Sequence, residues 1–173
     1  MSPMKENIVG FYLPEEENGC FSNWYMSDFV VDGIQFSSME QFLMYQKAVV
    51  CHDDVRAKLI LASDDPATVK KLGRQVTPYD GALWEGVRQV VAYRGLYAKF
   101  SQNDALRAAL LATGDSILAE CSATDMIWGI GIGMADPDRF DRSKWKGQSI
   151  LGYALMQVRE ALRKEGWLWS AKK

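Results

Sequence analysis

Strand-like runs open this chain, several helices follow, and one more strand-like run precedes a closing helix, without regular alternation of strand and helix. That order limits the fold more than any other feature. "NIVGFYL" (7–13) reads as a strand, "FVVDGIQF" (29–36) as a hairpin turning at Asp32-Gly33, and "SILAEC" (116–121) as a further strand. Helices are expected from Ser37 or Ser38 onward, over "DDVRAKLILA", "SDDPATVKKLGR", "GALWEGVRQVVAYRGLYAKF" (81–100), "SQNDALRAALLATG" and "SILGYALMQVREALRKEG". A doubly wound fold needs βαβ units in series, and these are missing. The expectation is α+β, a small, mainly antiparallel sheet wrapped by several helices, in a single domain spanning 1–173. Residues 122–148 form a long irregular stretch rich in Gly and Trp, and stretches of that kind inside a compact domain usually carry function.

The first predicted helix holds a question. Met39, Phe42, Leu43, Gln46, Val49 and Val50 recur at core spacing. Glu40 and Lys47, seven residues apart, fall about 20° from each other in projection and share a flank, with Met44 between them. Ser38 with Gln41 makes a capping-box pattern, and so does Ser37 with Glu40; in the second pairing Glu40 only ties down the helix end. In the long helix, Leu83, Val87, Val90, Val91, Arg94 and Leu96 are expected to mark most of the buried side.

Composition removes several function classes. The chain has 173 residues, 48% hydrophobic and 24% charged, with a net charge of −2. That is enough to bury a core, and no basic stripe favours sequence-independent grip on nucleic acid. A nucleotide or a single modified base remains open as a ligand. Cys20, Cys51 and Cys121, odd in number and widely spaced, read as reduced thiols of a cytoplasmic protein. With His52 the sole histidine, no metal site is expected, and no Ser-His-Asp set is present. No run reaches the ~18 apolar residues of a membrane span, and the first ten residues do not read as a signal peptide.

Other residues carry two readings each. Phe21 and Trp24, in "CFSNWY", are core plugs or an aromatic wall for a flat ring, with Asn23 reading polar edges. Trp84 sits where a helix-start tryptophan is usually core. Asp125, before Trp128-Gly129, is a turn residue or an acceptor for ribose hydroxyls. "GIGIG" lacks the strand–helix context of a dinucleotide fingerprint.

The ordered set "FSNWY", "VDGIQFSSMEQFLMYQKA", "LGR", "LWEGVRQVVAYRGLYAKF", "LRAALLATG", "DMIWGIGIG" and "WKGQSILGYALMQVRE" resembles the NADAR, or YbiA-like, family from about residue 9 to 163. The resemblance implies an α+β fold and N-glycosidic chemistry without a cofactor. It implies removal of ADP-ribose from guanine, or cleavage of riboflavin-pathway intermediates, or binding of such nucleotides without turnover. By motif it places the family's catalytic residues on Glu40, Lys47, Trp84 and Asp125. Substrate contacts fall on Phe21, Asn23, Arg74, Trp128, Gly129 and Gln148. The family's Gly-Gln-Asn appears here as Gly147-Gln148-Ser149. The expected partner is a small nucleotide or an ADP-ribosylated guanine in nucleic acid.

An anion such as Glu40 below the ring would stabilise the cation that grows on ribose as C1′–N breaks. Lys47 offers a second route, a Schiff base at C1′, but needs a lowered pKa. Burial or a nearby cation would supply that, and a neighbouring Glu40 would oppose it.

Overall fold

A computed structural model describes residues 6–170, and the side chains of 167–170 are not among those described. The C-terminal "WLWSAKK", whose packing the sequence leaves open, thus lies outside the described side chains. Contacts group the chain into two compact units, one from residue 23 to 103 and one joining the segment up to 22 with that from 104 onward.

The 23–103 unit holds a hairpin and four helices. β1 Ile8–Phe11 belongs to the other unit; here β2 Met26–Val31 pairs antiparallel with β3 Ile34–Ser38. Asp32 (φ 52°) and Gly33 (φ 78°) both take left-handed backbone, the geometry a two-residue Asp-Gly hairpin turn requires. α1 Met39–Val50, α2 Asp54–Leu61, α3 Pro66–Arg74 and α4 Gly81–Ser101 follow. Asp53, Asp65 and Asp80 each accept a backbone N–H from the first turn of α2, α3 and α4. Phe29, Phe36 and Phe42 form the core under the hairpin, their centroids 5.1 to 6.0 Å apart. Ala48, Ile60 and Val69 close a second cluster where α1, α2 and α3 meet.

Two helical faces differ from expectation. On α1, Met39, Phe42 and Leu43 are buried as expected, but Val49 is exposed and Gln46 and Val50 are only half-buried. On α4 the correction is larger. Leu83, Val90 and Arg94 are exposed, and the buried stripe runs Trp84, Arg88, Val91, Ala92, Gly95, Leu96, Lys99. The expected stripe included Arg94 but not Arg88 or Lys99, whereas this helix buries those two long cationic side chains and packs by its small residues. A Cβ on Gly95 would strike Phe42 and Met39 of α1, so this stripe faces α1.

The second unit holds β1, α5 Asp104–Ala112, β4 Ile117–Glu120 and α6 Ile150–Ser170. β1 and β4 pair parallel, Ile8 opposite Ile117 through Phe11 opposite Glu120. The expected small, mainly antiparallel sheet is therefore two separate ladders among the described residues, one antiparallel and one parallel. The parallel pair is possible because the connection between its strands is long; only antiparallel neighbours can be joined by a tight turn. The α+β class stands. The irregular stretch after β4 contains two short 3-10 turns, Pro137–Phe140 and Arg142–Lys144. No described helix is long and apolar enough to cross a membrane.

Candidate active site

The N-terminus of α1 decides between the two capping patterns. Ser38 is the N-cap, its Oγ accepting from Gln41 N at 3.1 Å. Gln41 Oε1 reaches back to accept from Ser37 N at 2.8 Å, and its Nε2 donates to the Ser63 carbonyl at 2.8 Å. The capping pair is thus Ser38 and Gln41. Glu40 is 7% exposed, and its backbone N–H donates to Asn23 O at 2.8 Å. That bond fixes Asn23 against the acid-bearing turn. The Asn23 side chain is 5% exposed, and its Oδ1 meets no hydrogen-bond donor among the described residues.

Seven residues along, Lys47 is half-buried. Its Nζ donates to the Gly73 carbonyl at 2.8 Å and lies 4.7 Å from the Tyr79 ring centroid. Burial holds this amine below the ordinary lysine range. Arg74 pushes the same way, while Cys51 and Glu40 push back without overturning it. The contest between desolvation and the Glu40 charge thus goes to desolvation.

Gly73 makes the arrangement possible. It is buried in the last turn of α3, where a Cβ would strike the Met44 side chain. Its absence of side chain lets α3 approach the flank of α1 closely enough for its carbonyl to reach Lys47. Met44 packs against Gly73 on that flank. Arg74 is exposed beside it.

A pocket of about 450 Å³ opens at the C-terminal end of α1, lined by Cys51, His52, Pro78, Tyr79, Asp80 and Leu83. Tyr79 links this hollow to Lys47. Sequence reading did not single out Tyr79, the Gly73 carbonyl or Arg88, since each acquires its place through packing between helices. Trp84 is 5% exposed on the α1-facing stripe of α4. Half-buried Trp24 carries Lys70 Nζ at 5.7 Å from its ring centroid.

The second unit gathers the other candidates. Phe21 is 1% exposed and packs edge-on against Phe11, the packing half of its two readings. Asp125 Oδ1 accepts from Ile127 N at 2.9 Å and Trp128 N at 2.8 Å, which is a turn-forming role. These bonds hold the half-buried carboxylate in one orientation. Gly129 is buried, a Cβ there pressing on the Asp125 and Glu120 carbonyls. Gln148 is exposed and donates its backbone N–H to Met126 O at 2.8 Å. Ser149, where the family pattern has Asn, has φ 54° and is fully buried. The structure therefore brings Asn23, Glu40, Lys47 and Arg74 together around α1 and the end of α3. It gathers Asp125, Trp128, Gly129 and Gln148 in one loop.

A family model described as the NADAR domain matches residues 10–163. The chain is 34% identical over 145 residues to N-glycosidase R617 of Acanthamoeba polyphaga mimivirus, covering 81% of this chain and 85% of that one. It is 32% identical over 159 residues to N-glycosidase YbiA of Escherichia coli, covering 92% and 91%. The NMR structure of E. coli YbiA superposes with a TM-score of 0.78 over 95% of this chain and 90% of that one, at 32% identity. A riboflavin biosynthesis protein of Vibrio vulnificus, VVA0006, is 33% identical over 163 residues, covering 94% of this chain and 40% of its own length.

Proposed function

From its membership of the NADAR domain family, to which this chain belongs, we propose that it is an N-glycosidase cleaving a ribosyl C1′–N bond, its substrate an ADP-ribosyl group on guanine. The relatives named N-glycosidases support the bond type. The observation that carries the reading is the flank of α1: a buried carboxylate in its first turn, and an amine held below its ordinary pKa. That pairing suits a reaction that must meet positive charge at C1′ and then deliver a nucleophile to it.

In the covalent route the C1′–O4′ bond opens, O4′ keeping the bonding pair and taking a proton, and the lone pair of the base nitrogen makes C1′ an iminium carbon. Unprotonated Lys47 Nζ adds to C1′, and the C1′–N bond then breaks, the base leaving with the bonding pair and a proton from Nζ. Water adds to the resulting lysyl iminium carbon, and Nζ leaves with its bonding pair as the added hydroxyl loses its proton and C1′ becomes an aldehyde that recloses with O4′. In the direct route Glu40 takes the proton of a water that attacks C1′ while the base leaves with the bonding pair and gains a proton. The lowered Lys47 pKa favours the first. Asn23 is assigned to a polar edge of the substrate, Arg74 to phosphate, Trp84 to stacking on the base. By the family pattern, Asp125 is assigned to a ribose hydroxyl, and Phe21, Trp128, Gly129 and Gln148 to substrate contact.

A second reading, cleavage of riboflavin-pathway intermediates, is favoured by the name of the Vibrio protein. The experiment is a substrate panel on the purified chain: ADP-ribosylated guanosine, ADP-ribosylated guanine in an oligonucleotide, and ribosyl-phosphate riboflavin intermediates, with products separated and identified. Free guanine or guanosine released with ADP-ribose supports the proposal. Turnover of the riboflavin intermediates alone selects the second reading, and binding of ADP-ribose without any turnover rejects both.

A further inference from the structure

Arg88 is 9% exposed in the middle of α4, and its Nε is sealed from solvent without a hydrogen-bond partner. Among the described residues no hydrogen bond, ion pair or ring contact reaches its guanidinium. A buried donor left unmade is costly. An arginine that merely snorkels buries its stem and sends its nitrogens to water. Here Nε is enclosed and unmatched, while the two terminal nitrogens are not sealed off and make no bond among the described residues.

Its position on the helix is informative. Arg88 is one turn from Trp84, about 40° away in projection, so the two share a stripe. Gly95, seven residues further on, lies on that stripe against Met39 and Phe42, so the stripe faces α1. The pocket joins Cys51 and His52, just past the C-terminal end of α1, to Gly81 and Leu83 at the start of α4. The two helices therefore run antiparallel. Moving about seven residues back along α4 from Gly95 corresponds to about seven forward along α1. That brings Arg88 level with the turn that carries Lys47.

We propose that Arg88 is an anion-binding residue that receives a phosphoryl group of the substrate and thereby positions the ribose for cleavage. This rests on the N-glycosidase reading for the identity of the substrate, but not for the anion. A guanidinium is a planar fork that matches two phosphoryl oxygens, and such charge-assisted bonds are about twice as strong as neutral ones. A phosphoryl group is also the part of a ribosyl phosphate, or of an ADP-ribosyl group, that would neutralise the buried charge.

The test uses Arg88→Met, which keeps the length of the stem and removes the charge. Inorganic pyrophosphate serves as the probe, by calorimetry and by competition with the panel substrate. The parent should bind pyrophosphate, and the Met variant should lose about tenfold to a hundredfold in that affinity. The same factor should appear in KM for the phosphorylated substrate. Turnover of the dephosphorylated nucleoside should be unchanged between parent and variant, which a general structural defect would not allow. The variant's Tm should equal or exceed the parent's, because an unpaired buried charge has gone. Unchanged pyrophosphate affinity, or equal losses on phosphorylated and dephosphorylated substrates, overturns the inference. Should the Met variant not fold, Arg88→Lys decides. A several-fold weaker grip on pyrophosphate supports the fork, and an undiminished grip rejects it. Pyrophosphate binding through Arg88 with no glycosidic turnover would leave this inference standing and reject the N-glycosidase reading. Turnover with pyrophosphate affinity indifferent to Arg88 would do the reverse.

Discussion

The flank of α1 and the loop after β4 both concentrate polar side chains, and they use them in opposite ways. In the loop the polar groups mostly build the loop. Asp125, Asp136 and Asp141 each accept backbone N–H groups two or three residues on, and Trp145 Nε1 donates to the Arg139 carbonyl at 2.9 Å. Around α1 only some do, among them Ser38, Gln41 and the Lys47 bond to the Gly73 carbonyl. The Asn23 Oδ1 and the Arg88 Nε are buried without partners, and Lys47 is held partly out of water. An unpaired buried polar atom is a standing cost. Such groups in a folded chain call for a physical explanation. The difference separates a region whose polar atoms mostly hold the backbone from one that leaves two buried polar atoms unmatched.

The largest effects should come from the α1 flank. Lys47→Arg and Glu40→Gln are each expected to lower kcat by on the order of 10³, with the fold intact by circular dichroism. Borohydride should trap a sugar phosphate on the Lys47 peptide in the parent. In the parent, the rate should rise with pH through a midpoint below the usual lysine value of about 10.4. Stability carries the same signature. The folded amine gives up its proton at lower pH than the unfolded one. Between the two pKa values the unfolded state holds more protons, so stability rises with pH there. Lys47→Met should flatten that rise in urea titrations across the window. A fully active arginine variant and no trapped adduct would leave Glu40 directing a water instead.

Asp125 tests the other side of the comparison. Asp125→Asn keeps an acceptor at the Oδ1 position and so keeps the turn. Asp125→Ala loses both bonds and should cost about 1–2 kcal/mol by urea titration, the price of a lost cap. If the carboxylate also holds a ribose hydroxyl, the Asn variant should lose about tenfold to a hundredfold in kcat/KM at parental stability. An Asn variant as active as the parent would make Asp125 purely a turn residue and widen the contrast with α1.

These sites were unequally legible in sequence. The hairpin was readable because Asp32-Gly33 is local turn chemistry. The shared flank of Glu40 and Lys47 followed from helical period alone. The state of Lys47 did not, since it depends on Gly73 and Tyr79 arriving from another part of the chain. Arg88 was not singled out because its burial depends on which stripe of α4 faces α1, which the local sequence does not fix. The parallel pairing of β1 with β4 was hidden because nothing local encodes the register between distant strands.

Gly73→Ala probes the contact that makes the flank. In an ordinary helix interior, Gly to Ala gains about 1 kcal/mol. Here the added methyl meets Met44, and the sign should reverse to a loss of roughly 1–3 kcal/mol by thermal denaturation. The Gly73 carbonyl should also draw away from Lys47 Nζ, shifting the pH midpoint of turnover. A stabilised variant with an unmoved midpoint would show that Met44 gives way freely and that the close approach is incidental.

The smallest effect concerns the loop's own exception. Ser149 is fully buried, takes φ 54°, and its Oγ has no hydrogen-bond partner among the described residues. It therefore combines left-handed backbone, unfavourable for a residue with a Cβ by about 1–2 kcal/mol, with an unmatched hydroxyl. Asn, the residue in the family pattern, tolerates that backbone better than Ser does. Ser149→Gly removes both costs and keeps the backbone bonds from Ser149 N to Gly129 O and from Tyr153 N to Ser149 O. Greater freedom in the unfolded chain offsets part of the gain. The expected net is about 1 kcal/mol of added stability, a Tm rise of about 2–4 °C for a chain this size. The rate decides what that means. A more stable variant with parental kcat/KM makes Ser149 a local defect in a region that otherwise satisfies itself. A more stable variant with reduced kcat/KM places its hydroxyl with Asn23 and Arg88, a polar atom kept unpaired for the substrate, and the contrast between loop and helix flank then fails at this position.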